Sequence, residues 1–172
     1  ENEYYNQSTA HTKQFQDDLF LEMKARIKED DSSVPYFYNE YWYITRFETG
    51  KDYPIYARKK GSLDAKEEIL FDCNEMAKGH SYFNLSGMSV SSDNKLVAFG
   101  LDLVSRRQYT IQIKNLETGE ILADKIENTT GGSSWSTDNK TLFYTGKDAQ
   151  TLRSDKIFKH KLGTKSSDDV LV

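Results

Sequence analysis

One segment of this chain occurs twice, and the repeat constrains the fold more than any other feature. Residues 91–95 (SSDNK) return as residues 136–140 (STDNK), and residues 111–116 (IQIKNL) return as residues 157–162 (IFKHKL). Apolar and polar residues alternate around these segments, which is the pattern of half-buried β-strands. A period of about 40–50 residues with about four short strands per unit is typical of β-propeller blades. The repeat therefore predicts a mainly β protein built from propeller blades.

A different pattern precedes the blades, in residues 12–30. Large apolar residues recur at every fourth position there: Phe15, Leu19, Met23 and Ile27. This spacing predicts one amphipathic α-helix, which Pro35 prevents from continuing. We expect residues 1–33 to form a helical segment that packs against a neighbouring domain. A helix lying on a membrane is disfavoured, because its polar face carries as many acids as bases.

The rest of the chain, residues 34–172, is predicted to form a partial β-propeller of about three four-stranded antiparallel blades. The predicted blades cover residues 34–84, 85–128 and 129–172. The first blade resembles the others less, and its residues 55–58 would correspond to residues 111–114. Residues 74–84 would form a longer connector to the second blade.

The number of blades predicts that the chain is a piece of a larger protein. Propellers close with about four to eight blades, so three cannot form a ring. Repeat units also need a neighbour on each side to bury their apolar faces. We therefore expect the isolated chain to associate with itself through bare strand edges and apolar faces.

Composition excludes several classes of protein. The 23 basic and 27 acidic residues give a net charge of −4, without the basic face that a nucleic-acid-binding protein needs. No apolar run approaches the ~20 residues of a membrane-spanning helix. The N-terminus lacks the pattern of a signal peptide, and the single cysteine, Cys73, excludes an intramolecular disulfide. These features favour the cytoplasm, with the periplasm as the alternative.

The search for a nucleophile or a metal site is negative. Residues 131–135 (GGSSW) approach the G-x-S-x-G pattern of a nucleophilic serine, but Trp135 replaces the last glycine. Ser133 is therefore predicted to lie in a loop between blades. The three histidines are scattered and have no metal-ligand partner at short spacing: His11, His80 and His160. His160 alternates with apolar residues and is predicted to be structural, whereas His80 lies in a loop where a functional role stays open.

The acidic residues and the cysteine are also predicted to be structural. The acid pairs Glu67-Glu68 and Asp168-Asp169 are expected to be solvated. Asp93 and Asp138 begin tight turns, where a carboxylate accepts a backbone N–H. Acidic neighbours would raise the pKa of the Cys73 thiol and make it unreactive. No phosphate-binding glycine loop is present, so we predict no catalytic, cofactor-binding or metal-binding residue and no cofactor.

These residues resemble one family along nearly the whole chain. The matching segments are Glu1-Asn2-x-Tyr4, residues 31–36, Tyr41-Trp42-Tyr43, Arg46, residues 50–58, residues 72–83, Val90-Ser91, Asp93, Ala98, Asp102 and Thr118-Gly119-Glu120. The pattern is similar to the oligopeptidase B (protease II) branch of the prolyl oligopeptidase family of serine peptidases. The blade turns usually read Ser-Pro-Asp in that family. Ser92 and Thr137 replace the proline here, a change expected to affect turn rigidity and not function.

The resemblance implies an α/β-hydrolase domain coupled to a seven-bladed propeller that limits access to large substrates. It implies cleavage of short peptides after Arg or Lys by a Ser-Asp-His triad that follows the propeller. No residue here matches the triad, so this chain is expected to be non-catalytic, and its helix is expected to pack on the hydrolase domain. Residues 87–90 and 133–135 are expected to face the propeller tunnel. The alternative is a stand-alone WD-repeat-like interaction module. The missing Trp-Asp dipeptide and the small number of blades disfavour it.

Overall fold

Two antiparallel sheets follow a helical N-terminal segment in the computed structural model, which describes residues 1–172. The four-stranded sheet contains, in spatial order, β1 (Tyr36–Tyr38), β2 (Tyr41–Arg46), β3 (Ile55–Lys60) and β4 (Glu67–Asp72). The seven-stranded sheet contains β5 (Asn84–Val90), β6 (Leu96–Asp102), β7 (Tyr109–Asn115), β8 (Ile121–Trp135), β9 (Thr141–Lys147), β10 (Ser154–Lys161) and β11 (Val170–Leu171), each hydrogen-bonded to the next. The predicted partial propeller is confirmed.

The second and third blades share one long strand. The first part of β8 pairs with β7, where Ile126 lies opposite Ile111, and its last part pairs with β9, where Trp135 lies opposite Leu142. Between these parts, Asn128 (φ 55°) and one glycine adopt left-handed backbone conformations that bend the strand. The predicted border at residues 128 and 129 lies inside this strand, so the exact limits of the blades stay a prediction.

The helical segment differs from the prediction at both ends. It consists of α1 (Asn2–Thr9), a 3-10 turn (Ala10–Thr12) and α2 (Lys13–Ala25). Helix α1 was not predicted, because its polar residues show no apolar periodicity, and α2 ends before residue 30 in a tightened last turn. No residue of either helix is buried. None of the helices is both long and apolar enough to cross a bilayer.

A third helix, α3 (Cys73–Met76), lies in the connector between the first two blades and was also not predicted. The Asp72 carboxylate caps it by accepting the backbone N–H groups of Asn74 at 3.0 Å and Glu75 at 3.2 Å. A side chain that satisfies these free N–H groups stabilises a helix start. The single turn is too short to produce a periodic signal in the sequence.

The core lies between successive blades. One apolar cluster joins the four-stranded sheet to β6 through Phe71, Val97 and Phe99, among others. A second cluster joins the second blade to the third through residues that include Ala98 and Leu142. Because neighbouring residues of a strand face opposite sides, β6 contributes to both clusters. Each blade is therefore held by the apolar side chains of the blades beside it.

Hydrogen bonds between turns connect the blades at one end. Asn39, Asn94 and Asn139 occupy the first turn of each blade, all with left-handed backbone conformations. The Nδ2 atom of Asn39 donates to the Ser92 carbonyl oxygen at 2.8 Å, and Nδ2 of Asn94 donates to the Asn39 carbonyl oxygen at 3.1 Å. The Oδ1 atom of Asn139 accepts the Ser92 N–H and hydroxyl, both at 2.9 Å. Besides its place in the turn, Ser92 thus provides two donors that connect the second blade to the third.

We expect Ser92→Pro to lower the free energy of unfolding by about 1–2 kcal/mol, since proline would remove both donors to Asn139. Thr137→Pro is the matched control, because Thr137 has the same place in the repeat and makes no such contact between blades. Denaturant unfolding of both variants measures the difference. Equal losses would show that the turn itself, rather than its contact with the next blade, sets the cost.

Candidate functional site

The structure brings no catalytic base to Ser133. This residue lies in the last part of β8, opposite Tyr144, rather than in the predicted loop. Its Oγ atom is buried and has no hydrogen-bond partner. A nucleophilic serine requires a base within hydrogen-bond reach. Ser133 is thus a strand residue that lacks the groups needed for nucleophilic catalysis.

The three histidines lie in different environments. His11 is in the 3-10 turn and His80 is in the connector after α3, and both are exposed. His160 lies on β10 and is fully buried. No group of three or more His, Cys, Asp and Glu side chains is arranged to hold a metal ion. The assignment of no catalytic, cofactor-binding or metal-binding residue stays a prediction.

His160 lies between two buried carboxylates. Its Nδ1 atom is 2.6 Å from Oδ1 of Asp169, and its Nε2 atom is 3.0 Å from Oδ1 of Asp124. Asp124 also accepts the backbone N–H of Gly163 at 2.6 Å, and Asp169 accepts the hydroxyl of Tyr144 at 2.8 Å. Burial and the contact with the Asp169 carboxylate raise the pKa of the Tyr144 hydroxyl. We call these four side chains the His160 cluster.

The expectation that both acid pairs are solvated is wrong for Asp169, whose side chain is only 2% exposed. It comes just before β11 in the sequence, and no local pattern distinguishes it from Asp168. Glu67 and Glu68 are partly exposed and pair with Arg46 and Arg58. Glu67 and Glu68 are consecutive residues of β4. Their place in the sequence shows that both are acidic but does not show which arginine each one pairs with.

Two basic side chains cross between the first and second blades in opposite directions. Nη1 of Arg58 donates to the Asn94 carbonyl oxygen at 3.2 Å, and its guanidinium lies 3.9 Å from the centre of the Tyr41 ring. Nζ of Lys114 donates back to the Leu70 carbonyl oxygen at 2.7 Å, and desolvation lowers its pKa. The two residues thus face opposite sides of their blades. The predicted correspondence of residues 55–58 with residues 111–114 is therefore out of register.

Asp93, Asp138 and Cys73 have the predicted structural roles. Asp93 accepts the backbone N–H of Lys95 at 3.2 Å. Asp138 accepts the backbone N–H of Lys140 at 2.8 Å. Among the contacts that lower the pKa of the Asp138 carboxyl, this hydrogen bond has the largest effect. Burial, and then the charge of Asp72, raise the pKa of the Cys73 thiol to about 12. A thiol in this state is not a nucleophile at neutral pH.

The helical segment presents many uncovered apolar side chains. Exposed side chains on α1 and α2 include Tyr4, Tyr5, Phe15, Leu19, Phe20, Leu21 and Met23. Hydrogen bonds connect the residues that follow α2 to the first blade: Gly50 donates its N–H to the Glu29 carboxylate at 3.3 Å, and Phe47 donates to the Asp31 carbonyl oxygen at 2.8 Å. Apolar patches of this kind mark interaction surfaces.

Comparisons with known proteins agree with this architecture. The sequence profile of the prolyl oligopeptidase N-terminal β-propeller domain matches residues 1–172. This chain belongs to the prolyl oligopeptidase family and corresponds to its N-terminal propeller. The resemblance to oligopeptidase B is confirmed by a structure of oligopeptidase B from Leishmania major, which matches 98% of this chain and 24% of that chain with a TM-score of 0.89 and 35% identity. Oligopeptidase B from Trypanosoma brucei matches 99% of this chain and 24% of that chain with a TM-score of 0.88 and 29% identity.

Two curated relatives cover the whole chain. Dipeptidyl aminopeptidase BI from Pseudoxanthomonas mexicana is 44% identical, and Protease 2 from Moraxella lacunata is 30% identical. The chain spans about a quarter of the length of each, 26% in both cases. Both relatives are therefore much longer than this chain.

Proposed function

We propose that this chain is the non-catalytic propeller portion of a serine peptidase of the oligopeptidase B type. The observation that carries the proposal is the agreement in fold with oligopeptidase B over 98% of the chain. The absence of any base near Ser133 supports a catalytic triad outside residues 1–172. The whole protein would hydrolyse peptide bonds, and this portion would control which peptides reach the active site.

The proposed gating role follows from the position of the first strand in each blade. In a closed propeller the first strands of the blades surround a central channel. Here those strands are β1, β5 and the last part of β8, which include residues 87–90 and 133–135. A channel lined by them would admit short, extended peptides and exclude folded proteins. Substrate would contact these strands only transiently, so the strands would select peptides by size rather than by their side chains.

The apolar side chains of α1 and α2 are proposed to pack on the hydrolase domain of the same protein. Phe15 is 68% exposed and Phe20 is 61% exposed, and no blade lies over either of them. Burying one such side chain contributes about 1.5–3 kcal/mol. Without the hydrolase domain these surfaces are available to a second copy, so the isolated chain is proposed to self-associate. We propose the cytoplasm as its compartment.

Activity measurements on two lengths of the protein test the proposal. We expect the product of the complete reading frame that encodes this chain to cleave a blocked peptide amide after arginine. We expect the 172-residue chain to show no cleavage above background. The control is the full-length product with the serine of its G-x-S-x-G motif replaced by alanine, which should be inactive. Cleavage by the 172-residue chain alone, or a reading frame without such a motif, would overturn the proposal.

A second substrate separates the two specificities suggested by the relatives. The name dipeptidyl aminopeptidase describes release of dipeptides from a free N-terminus, and this relative is more similar to the chain than Protease 2 is. An unblocked peptide without arginine or lysine, incubated with the full-length product, distinguishes the activities. Stepwise release of dipeptides would replace the proposed cleavage after Arg or Lys. Inertness of this peptide, with cleavage of the arginyl substrate, supports the proposal.

A further inference from the structure

We propose that the His160 cluster is a proton-dependent link between the second and third blades. Its members come from separate elements: Asp124 from the first part of β8, Tyr144 from β9, His160 from β10, and Asp169 from the residue before β11. The bond from His160 to Asp124 joins the outer strand of the second blade to the third blade. The bond from His160 to Asp169 holds the last strand of the third blade. One imidazole thus connects three strands.

The hydrogen-bond partners of the His160 ring indicate its charge. An ionised carboxylate only accepts hydrogen bonds, whereas a neutral imidazole has one donor and one acceptor nitrogen. Both nitrogens of His160 lie within hydrogen-bond distance of carboxylate oxygens. Only the doubly protonated ring donates to both. The neutral ring would leave a lone pair facing a carboxylate in a site where the imidazole is 0% exposed.

No other cation can replace the ring. Neither Asp124 nor Asp169 has a lysine or arginine nitrogen within 4.0 Å, and His160 is the one basic partner of both. The other groups facing the ring and its carboxylates are the Tyr144 hydroxyl and the Gly163 N–H, which are neutral. Lys159 and Lys161 flank His160 on β10 and face the opposite side of the strand. Loss of one proton therefore leaves two carboxylates without a counter-charge in a buried site, which is costly.

The corresponding position of the preceding blade does not share this dependence. In the repeat of residues 111–116 and 157–162, Lys114 matches His160. Both residues face the outer strand of the blade before them, but the Lys114 ammonium donates to a backbone carbonyl oxygen. A carbonyl carries no charge that must be balanced. The junction between the second and third blades is thus the one whose strength changes with the protonation of a histidine.

The direct test determines the protonation state of the ring. The double substitution H11Q/H80Q removes the two exposed histidines and leaves His160 as the single imidazole of the chain. We expect nuclear magnetic resonance of this variant to show two slowly exchanging ring N–H signals at neutral pH. A single ring N–H signal, which a neutral ring would produce, overturns the proposal even if no other variant folds.

A matched variant tests the role of the carboxylates. The two oxygens of Asp169 contact separate partners, His160 and Tyr144. In Asp169→Asn the introduced amide can donate to Nδ1 through its nitrogen and accept the Tyr144 hydroxyl through its oxygen, so a neutral ring satisfies both of its contacts. In the H11Q/H80Q background we expect this substitution to reduce the two slowly exchanging ring N–H signals to one. Two such signals in both proteins would overturn the proposal.

Discussion

Gly87→Ala is expected to lower the free energy of unfolding by roughly 3 kcal/mol or more, or to prevent folding. Gly87 has a left-handed φ of +65°, and a Cβ atom there would lie 2.1 Å from the carbonyl oxygen of Gly131 and 2.7 Å from Cα of Gly132. Both are backbone atoms at the bend of β8. Because β8 is hydrogen-bonded to strands on both sides, its backbone at the bend cannot move away from the added methyl group.

The matched control for this substitution is Gly119→Ala. Gly119 has an equally left-handed φ of +78°, but a Cβ atom there would meet no other atom within 4 Å. It should therefore cost only the backbone strain, about 1 kcal/mol. Denaturant unfolding of the two variants separates strain from collision. Similar losses for both would contradict the close packing of β5 against the bend of β8.

Phe99→Ala is expected to cost about 3–5 kcal/mol and to separate the unfolding of the first blade from that of the others. Phe99 is fully buried, and its ring centre is 4.5 Å from that of Phe71. The two rings lie on different sheets, so their contact carries much of the cohesion between the first and second blades. Truncation would leave a cavity at this interface, and β4 contributes no backbone hydrogen bond to β6 that could compensate.

Hydrogen exchange measured along with denaturant unfolding checks this prediction. In Phe99→Ala, the amides of β2 and β3 should lose protection before those of β7 and β8 do. Val104→Ala is the control, because Val104 is 63% exposed in the loop between β6 and β7 and its truncation should change the free energy of unfolding by less than about 0.5 kcal/mol. A uniform loss of protection across both sheets would contradict the assignment of Phe99 to the joint between blades.

In the proposed peptidase, the His160 cluster and the helical segment would have different roles. The cluster would tie the blades to each other, whereas the exposed face of α1 and α2 would tie the propeller to the hydrolase domain. A gate that limits access needs both properties: a rigid wall and a fixed position over the active site. The propeller portion could thus contribute to peptide selection without supplying a catalytic residue.

The sequence by itself determined the features that depend on near neighbours in the chain. Alternation of apolar residues predicts the strands, because a residue and the one after next share a face. The repeated SSDNK and STDNK segments place Asn94 and Asn139 in tight turns, where asparagine tolerates a left-handed backbone. The apolar spacing in residues 12–30 likewise predicts α2. All of these need only a few consecutive residues.

The tertiary structure alone decided the features that join distant residues. Asp124 and His160 are 36 positions apart, and only the packing of two blades brings them together as a buried hydrogen-bonded pair. The bend of β8 depends on glycines whose neighbours come from other strands. The direction of Arg58 depends on a strand register that the local sequence does not specify. The physical reason is common to all three: alternation specifies which residues share a face, while the identity of the opposing surface is set only when the blades pack.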